Sequence, residues 1–171
     1  MRLKIKDIPD DGRDWEAAFD GAFLRDALAG LDANLSNCQG FAQLHISRIG
    51  ENVFARGQLR ATLALPCSRC LVETPLLVDA PVRVTFTPED ALIPDGDVAD
   101  DLELATHDYQ YVELGGILRE TLILTIPMSI VCRDSCQGLC PVCGQDRNQT
   151  QCSCVATPPD PRFAALKELK L

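Results

Sequence analysis

Nine cysteines dominate the reading of this chain, and their spacing constrains the fold more than any other feature. Cys67-Ser-Arg-Cys70 sits mid-chain. A cluster of six follows within 23 residues: Cys132, Cys136, Cys140-Pro-Val-Cys143-Gly, then Cys152-Ser-Cys154. Eight thiolates in close pairs meet the needs of two tetrahedral four-sulfur sites, each sulfur about 2.3 Å from its ion. In Cys140-Pro-Val-Cys143-Gly, proline presets φ and Gly144 supplies the positive φ that lets the chain double back. The N-terminus, Met1-Arg-Leu-Lys-Ile-Lys, shows no apolar export segment, so thiolates in this spacing are expected to hold a metal rather than to form disulfides. Cys38, the odd cysteine, is expected to be a buried, inert thiol.

Two runs of period-two alternation flank the first cysteine pair. Val53, Ala55, Gly57, Leu59, Ala61, Leu63 and Leu65 fall on odd positions; Leu76, Val78, Ala80, Val82, Val84 and Phe86 fall on even ones. Alternation of this length means half-buried strands, so Cys67 and Cys70 should cap a long antiparallel hairpin over 53–87. Phe41 to Ile49 reads as a further strand, and Leu3 and Ile5 mark a short first one. Asp14 is expected to cap a helix running to about Gly30, with Trp15, Ala18, Phe19, Ala22, Phe23 and Ala27 as its apolar stripe. Gly115 to Ile126 reads as a second helix, stopped by Pro127, that packs on the sheet and delivers Cys132 to the hairpin tip. Asp160-Pro161 is expected to start a short C-terminal helix carrying Phe163, Leu166 and Leu169.

The formal charge of −9 is unevenly spread. Nine acidic residues and no Lys or Arg lie between Pro88 and Glu113, which leaves 16 acids against 16 bases elsewhere. This stretch reads as an acidic, solvated loop over 88–113, with Tyr109 to Val112 extending the sheet beyond it; a basic partner is the sharper reading of the loop. The expected organisation is therefore an α+β core over 1–131, built on an antiparallel twisted sheet or open barrel with a packing helix. A small zinc-held module with a C-terminal helix follows over 132–171.

The expected geometry suggests Cys67, Cys70, Cys132 and Cys136 on one side and Cys140, Cys143, Cys152 and Cys154 on the other, a pairing that sequence alone leaves open. A single zinc site, with the remaining cysteines packed as thiols, stays open. Catalysis finds little support. A four-thiolate site has no open coordination position. His45 is expected to face solvent and His107 to lie in the acidic loop, while Ser68 and Ser153 have no general base. Iron is the rival metal, since rubredoxin-like sites use Cys-Pro-x-Cys-Gly turns. Such sites pair two of them, and here Cys70 is followed by Leu71 rather than glycine. Metal storage fits cysteine density but not the rigid strands around the first pair.

Several motifs together resemble a known family. They run from Cys67-Ser-Arg-Cys70 through Ile126-Pro127-Met128 and Gly138-Leu-Cys-Pro-Val-Cys-Gly144 to Cys152-Ser-Cys154 and Asp160-Pro-Arg-Phe-Ala-Ala-Leu166. In this order they resemble the bacterial YceD family of large-subunit ribosomal RNA accumulation proteins, over about Leu59 to the C-terminus. The resemblance implies a cytoplasmic, non-enzymatic role in 23S ribosomal RNA accumulation during large-subunit assembly. It implies ribosomal RNA precursor or ribosomal proteins as partners, with no membrane and no small-molecule substrate. Arg69, Arg133 and Arg147 lie in or beside cysteine motifs. They either screen the thiolates or contact RNA phosphates. Low aromatic content argues against an extensive base-stacking platform.

Overall fold

The computed structural model describes residues 1–89 and 103–155. The two alternating runs form β4 (Asn52–Pro66) and β5 (Glu73–Pro88), an antiparallel hairpin in register from Val53 opposite Phe86 to Pro66 opposite Glu73. β3 (Gln39–Ile49) pairs with the free edge of β4, and β2 (Arg13–Ala18) pairs with β3. On the far side β6 (Glu103–His107) runs parallel to β5. The result is an open, mixed five-stranded sheet in the order β2-β3-β4-β5-β6. The fold is α+β as the sequence implies, but its fifth strand joins parallel rather than antiparallel.

Strand alternation sends Ala42, Leu44, Ile46, Val53, Leu59, Leu63, Val82, Val84 and Phe86 to one buried face. The helices α1 (Gly21–Ala27) and α2 (Leu114–Thr125) share that core through Leu24, Ala27, Leu114, Leu118 and Leu122. A second, two-stranded sheet joins β1 (Arg2–Lys4) to β7 (Tyr111–Glu113). Glu113 caps α2 by accepting from the Gly115 N–H at 3.1 Å. No helix among the described residues is long and apolar enough to cross a membrane.

Three expectations are corrected. The helix expected from Asp14 to Gly30 is a strand followed by a short helix. Arg13–Ala18 pairs along β3, and the cap is Asp20, whose carboxylate accepts from the Phe23 N–H at 2.7 Å. Trp15, Ala17 and Phe19 point inward at period two. Of the expected stripe, Phe19 and Ala27 are buried in the core, Trp15 and Phe23 pack against it, and Ala18 and Ala22 are exposed. The acidic loop is also shorter than expected, because 103–107 is β6 and 111–113 is β7. Tyr109 to Val112 does not extend the main sheet. Asp108 accepts from the N–H groups of Gln110 and Tyr111, both at 2.9 Å, and turns the chain toward β1. The rest of the acidic segment and the helix expected after Asp160 lie outside the described residues.

His107 likewise departs from its expected place in a solvated loop. It ends β6 with 3% exposure, its Nε2 bonds the Glu51 carbonyl at 2.8 Å, and Nδ1 accepts from the Tyr109 N–H. Both ring nitrogens are thus engaged by backbone, so His107 ties the turn between β3 and β4 to the end of β6. His45 faces solvent and pairs with Asp14 at 2.9 Å. Cys38 is buried; its Sγ donates to the Asn34 carbonyl and accepts from the Ala64 N–H, each at 3.3 Å.

Candidate metal centres

The hairpin tip is built as a metal knuckle. Leu71 donates its N–H to the Cys67 carbonyl at 3.0 Å and takes a φ of +63°, which closes the turn through Ser68 and Arg69. Gly144 does the same in the second knuckle, with its N–H on the Cys140 carbonyl at 2.8 Å and a φ of +73°. The two turns are therefore alike, although a leucine stands in one where a glycine stands in the other. The distinction drawn from Leu71 in the sequence does not hold in three dimensions.

Chain distant in sequence completes the first centre. α2 ends at Thr125 with Ile126 as its extended cap, Pro127 bars its continuation, and the chain then lies along the tip. Ser68 holds it twice: its N–H donates to the Ile130 carbonyl at 2.7 Å, and its Oγ accepts from the Ile130 N–H at 3.0 Å. Ser68 is thus a docking residue. This places Cys132 and Cys136 against Cys67 and Cys70, with all four sulfurs within 4.8 Å of one another. In a tetrahedron about 2.3 Å from its centre, sulfurs lie about 3.8 Å apart. Here Cys67 and Cys136 are 3.9 Å apart, and Cys70 and Cys132 are 3.7 Å apart. No disulfide joins any of the nine cysteines.

The second centre is local. Cys140 and Cys143 on the knuckle meet Cys152 and Cys154 on the returning chain, again within 4.8 Å. An isolated bridge between Leu139 and Asp146 and a bond from the Cys140 N–H to the Gln145 carbonyl at 2.8 Å fold this loop back. Its exposure differs from that of the first centre. Cys67, Cys70 and Cys136 are buried, whereas Cys143 and Cys154 are exposed.

The electrostatics of both clusters fit a divalent cation. The Cys67 thiol is lowered to about 6, chiefly because the Cys132 backbone N–H donates to its sulfur at 3.4 Å. Cys140 is also lowered to about 6, by the N–H groups of Cys143 and Val142. Their neighbours move the other way: burial pushes Cys132 up to about 12, and the adjoining Cys143 sulfur does the same to Cys154. Sulfurs crowded in this way resist further ionisation until a positive charge joins them. A four-thiolate donor set suits zinc or iron.

The two centres touch through Asn148 and Asp146, which the sequence did not single out, and through Gly138 and Arg69, which it did. Asn148 donates to the Cys136 sulfur at 3.5 Å and accepts from the Gln137 N–H at 2.9 Å. Asp146 orients it, accepting from its side-chain nitrogen at 2.7 Å. Gly138 makes the close passage possible. A side chain there would sit 2.9 Å from the Arg69 carbonyl, which accepts from the Leu139 N–H at 3.0 Å. The Arg69 guanidinium reaches the Cys136 carbonyl at 3.0 Å and so braces the Cys132–Cys136 loop. Arg133 and Arg147 are exposed, and the charge of Arg133 lowers Asp146 as the weakest of several causes, the first being the Asn148 N–H.

Comparison with known proteins adds the following. The family model for "Large ribosomal RNA subunit accumulation protein YceD" matches residues 55–170, which include both cysteine clusters. Uncharacterized proteins of Mycobacterium bovis and Mycobacterium tuberculosis are 26% identical over 133 residues, or 74% of this chain. The chain spans 59% of the length of these curated relatives. No solved structure matches it at a significant level.

Proposed function

Because the chain belongs to the YceD family of large ribosomal RNA subunit accumulation proteins, we propose that it is a non-enzymatic factor supporting 23S ribosomal RNA accumulation during large-subunit assembly. The observation that carries this reading is the span of the family match, which contains all eight clustered cysteines. The clusters support a scaffolding role for metal. Four protein thiolates fill a tetrahedral ion, leaving no position for an activated water or a substrate. Zinc, held by Cys67, Cys70, Cys132 and Cys136 and by Cys140, Cys143, Cys152 and Cys154, would supply cross-links rather than chemistry. In this reading the partner is the ribosomal RNA precursor or a ribosomal protein bound to it.

Iron is the second reading, and the likeness of the two knuckles favours it. Against it, rubredoxin-like sites place both knuckles on one ion, and here each centre has only one. Elemental analysis of protein purified anaerobically without added metal separates the two. Colourless protein with one or two zinc ions per chain supports the structural reading; iron with visible absorbance favours electron transfer. The functional reading is tested in cells lacking the protein. They are expected to accumulate less 23S relative to 16S ribosomal RNA, and an unchanged ratio with normal subunit profiles would refute it.

A further inference from the structure

Among the described residues, both helices pack on the core face of the five-stranded sheet, and the charges of the opposite face are arranged unusually. Arg56 on β4 and Arg83 on β5 stand directly opposite one another, both exposed. Like charges in that position destabilise a strand pair. Among the described residues neither arginine has an acidic partner. The acids of this face are committed elsewhere: Asp14 to His45, Glu16 to Gln43, and Asp79 to Gln58 and Arg60. His45, across from Arg56 on β3, extends the same row. One row on, Thr85 is 7% exposed and its hydroxyl has no hydrogen-bond partner among the described residues. Among the described residues, the charge of the two arginines is therefore not balanced.

The same face offers contacts of another kind. Phe54 occupies the row beside the arginines, opposite Thr85. Two rows away on the other side, about 13 Å along the strands, an open groove of ≈ 650 Å³ is lined by Phe41, Arg60 and Leu77. Phe41 and Leu77 are 40% and 79% exposed. Unpaired arginines and accessible aromatic rings on one sheet face are the means by which single-stranded nucleic acid is held: guanidinium to phosphate, ring to base.

We infer that this sheet face binds single-stranded RNA, with a phosphate between Arg56 and Arg83 and a base seated against Phe41 in the groove. The inference rests on the ribosomal RNA reading above and locates the contact away from Arg69, Arg133 and Arg147. An anion between the two guanidinium groups removes the repulsion that the fold otherwise carries. Local charge, rather than the net charge of −9, then decides the interaction.

The test uses the full-length, metal-loaded protein and a labelled oligouridylate of about ten nucleotides, with anisotropy followed across a salt series. Wild type is expected to bind with an affinity that falls as salt rises. Arg56→Gln with Arg83→Gln should weaken binding at least about tenfold and flatten the salt slope by about 0.7 per phosphate released. Phe41→Leu should weaken it a few-fold with the slope unchanged. Arg83→Gln alone should melt no lower than wild type, because it removes a like-charge neighbour. Equal binding by the double variant overturns the inference, as does a lower melting temperature for Arg83→Gln, which would make the pair structural. Competition by polyglutamate at equal charge also overturns it, in favour of an acidic protein partner. If wild type does not bind the oligomer yet restores 23S levels in cells, this inference fails while the functional reading stands.

Discussion

The side-chain nitrogen of Asn148, from the loop of the second cysteine cluster, lies 3.5 Å from the Cys136 sulfur of the first. A donor on a ligating sulfur steadies its charge and position, and losing such a contact commonly costs about 10–100-fold in metal affinity. Asn148→Ala is expected to weaken metal retention at the first cluster about tenfold, with the second retaining its affinity. Competition against a graded series of chelators, read on variants with only one intact cluster, measures this directly.

The two clusters should contribute unequally to stability. The first joins residues as far as 69 positions apart and is largely buried, whereas the second closes only its own loop. Cys136→Ser is expected to destabilise the whole chain by on the order of 4 kcal/mol. Cys152→Ser should leave the main unfolding transition within about 0.5 kcal/mol of wild type. Calorimetry decides, and equal effects would show that the second cluster also braces the sheet.

Leu71 holds a φ of +63° with its side chain 64% exposed, so it bears backbone strain and has little packing to lose. Leu71→Gly should stabilise the protein by up to about 1 kcal/mol, since the relief of the left-handed conformation exceeds the extra entropy of an unfolded glycine. Gly144→Leu should cost a similar amount at the second knuckle. Denaturant midpoints at constant slope provide the comparison.

Acid should loosen the small β1–β7 sheet before the large one. Burial pushes the Glu113 carboxyl up, but the N-terminal ammonium at 2.9 Å and Arg2 at 2.7 Å outweigh it and hold the group below its usual range. The N–H groups of Tyr111 and Gln110 lower Asp108 as well. Because both folded values lie below the unfolded ones, the stabilisation is complete above about pH 5 and is lost as pH falls through the folded values. Protection factors of the amides at residues 2–4 and 110–113, relative to intrinsic exchange at each pH, should fall below about pH 4 while β4 stays protected. Simultaneous loss in both sheets would contradict this.

How much of this was legible in sequence depended on whether one signal stood alone. Val53 to Leu65 and Leu76 to Phe86 fit period two over a length no helix tolerates, so the hairpin and the position of Cys67 at its tip were readable. Trp15, Phe19 and Phe23 fit a helical stripe, yet Trp15, Ala17 and Phe19 also alternate, and only the free edge of β3 decided for strand. β6 was hidden because Glu103 to His107 lies in an acidic stretch, and a five-residue strand gains its stability from β5 rather than from its own pattern. Sequence left the grouping of the thiols open, because it depends on which chain ends the hairpin and α2 bring together. Leu71 escaped notice because positive φ is normally announced by glycine, and Asn148 because nothing distinguishes one asparagine in a polar loop until its neighbours are known.

The span of the first cluster also sets an order of events during folding. Cys132 and Cys67 are 65 residues apart, so their sulfurs meet only after the hairpin and α2 have formed and docked, whereas Cys140 to Cys154 need only local closure. Closing the longer span carries the greater entropic cost and waits on non-local packing. Metal uptake by the reduced, unfolded chain should therefore proceed in two phases, a fast one at Cys140–Cys154 and a slow one that tracks formation of the sheet. On a ribosome the hairpin tip emerges well before Cys136, so Cys67 and Cys70 spend that interval as an open half-site, and the later-translated Cys132 and Cys136 are the ones that lock the first centre in place.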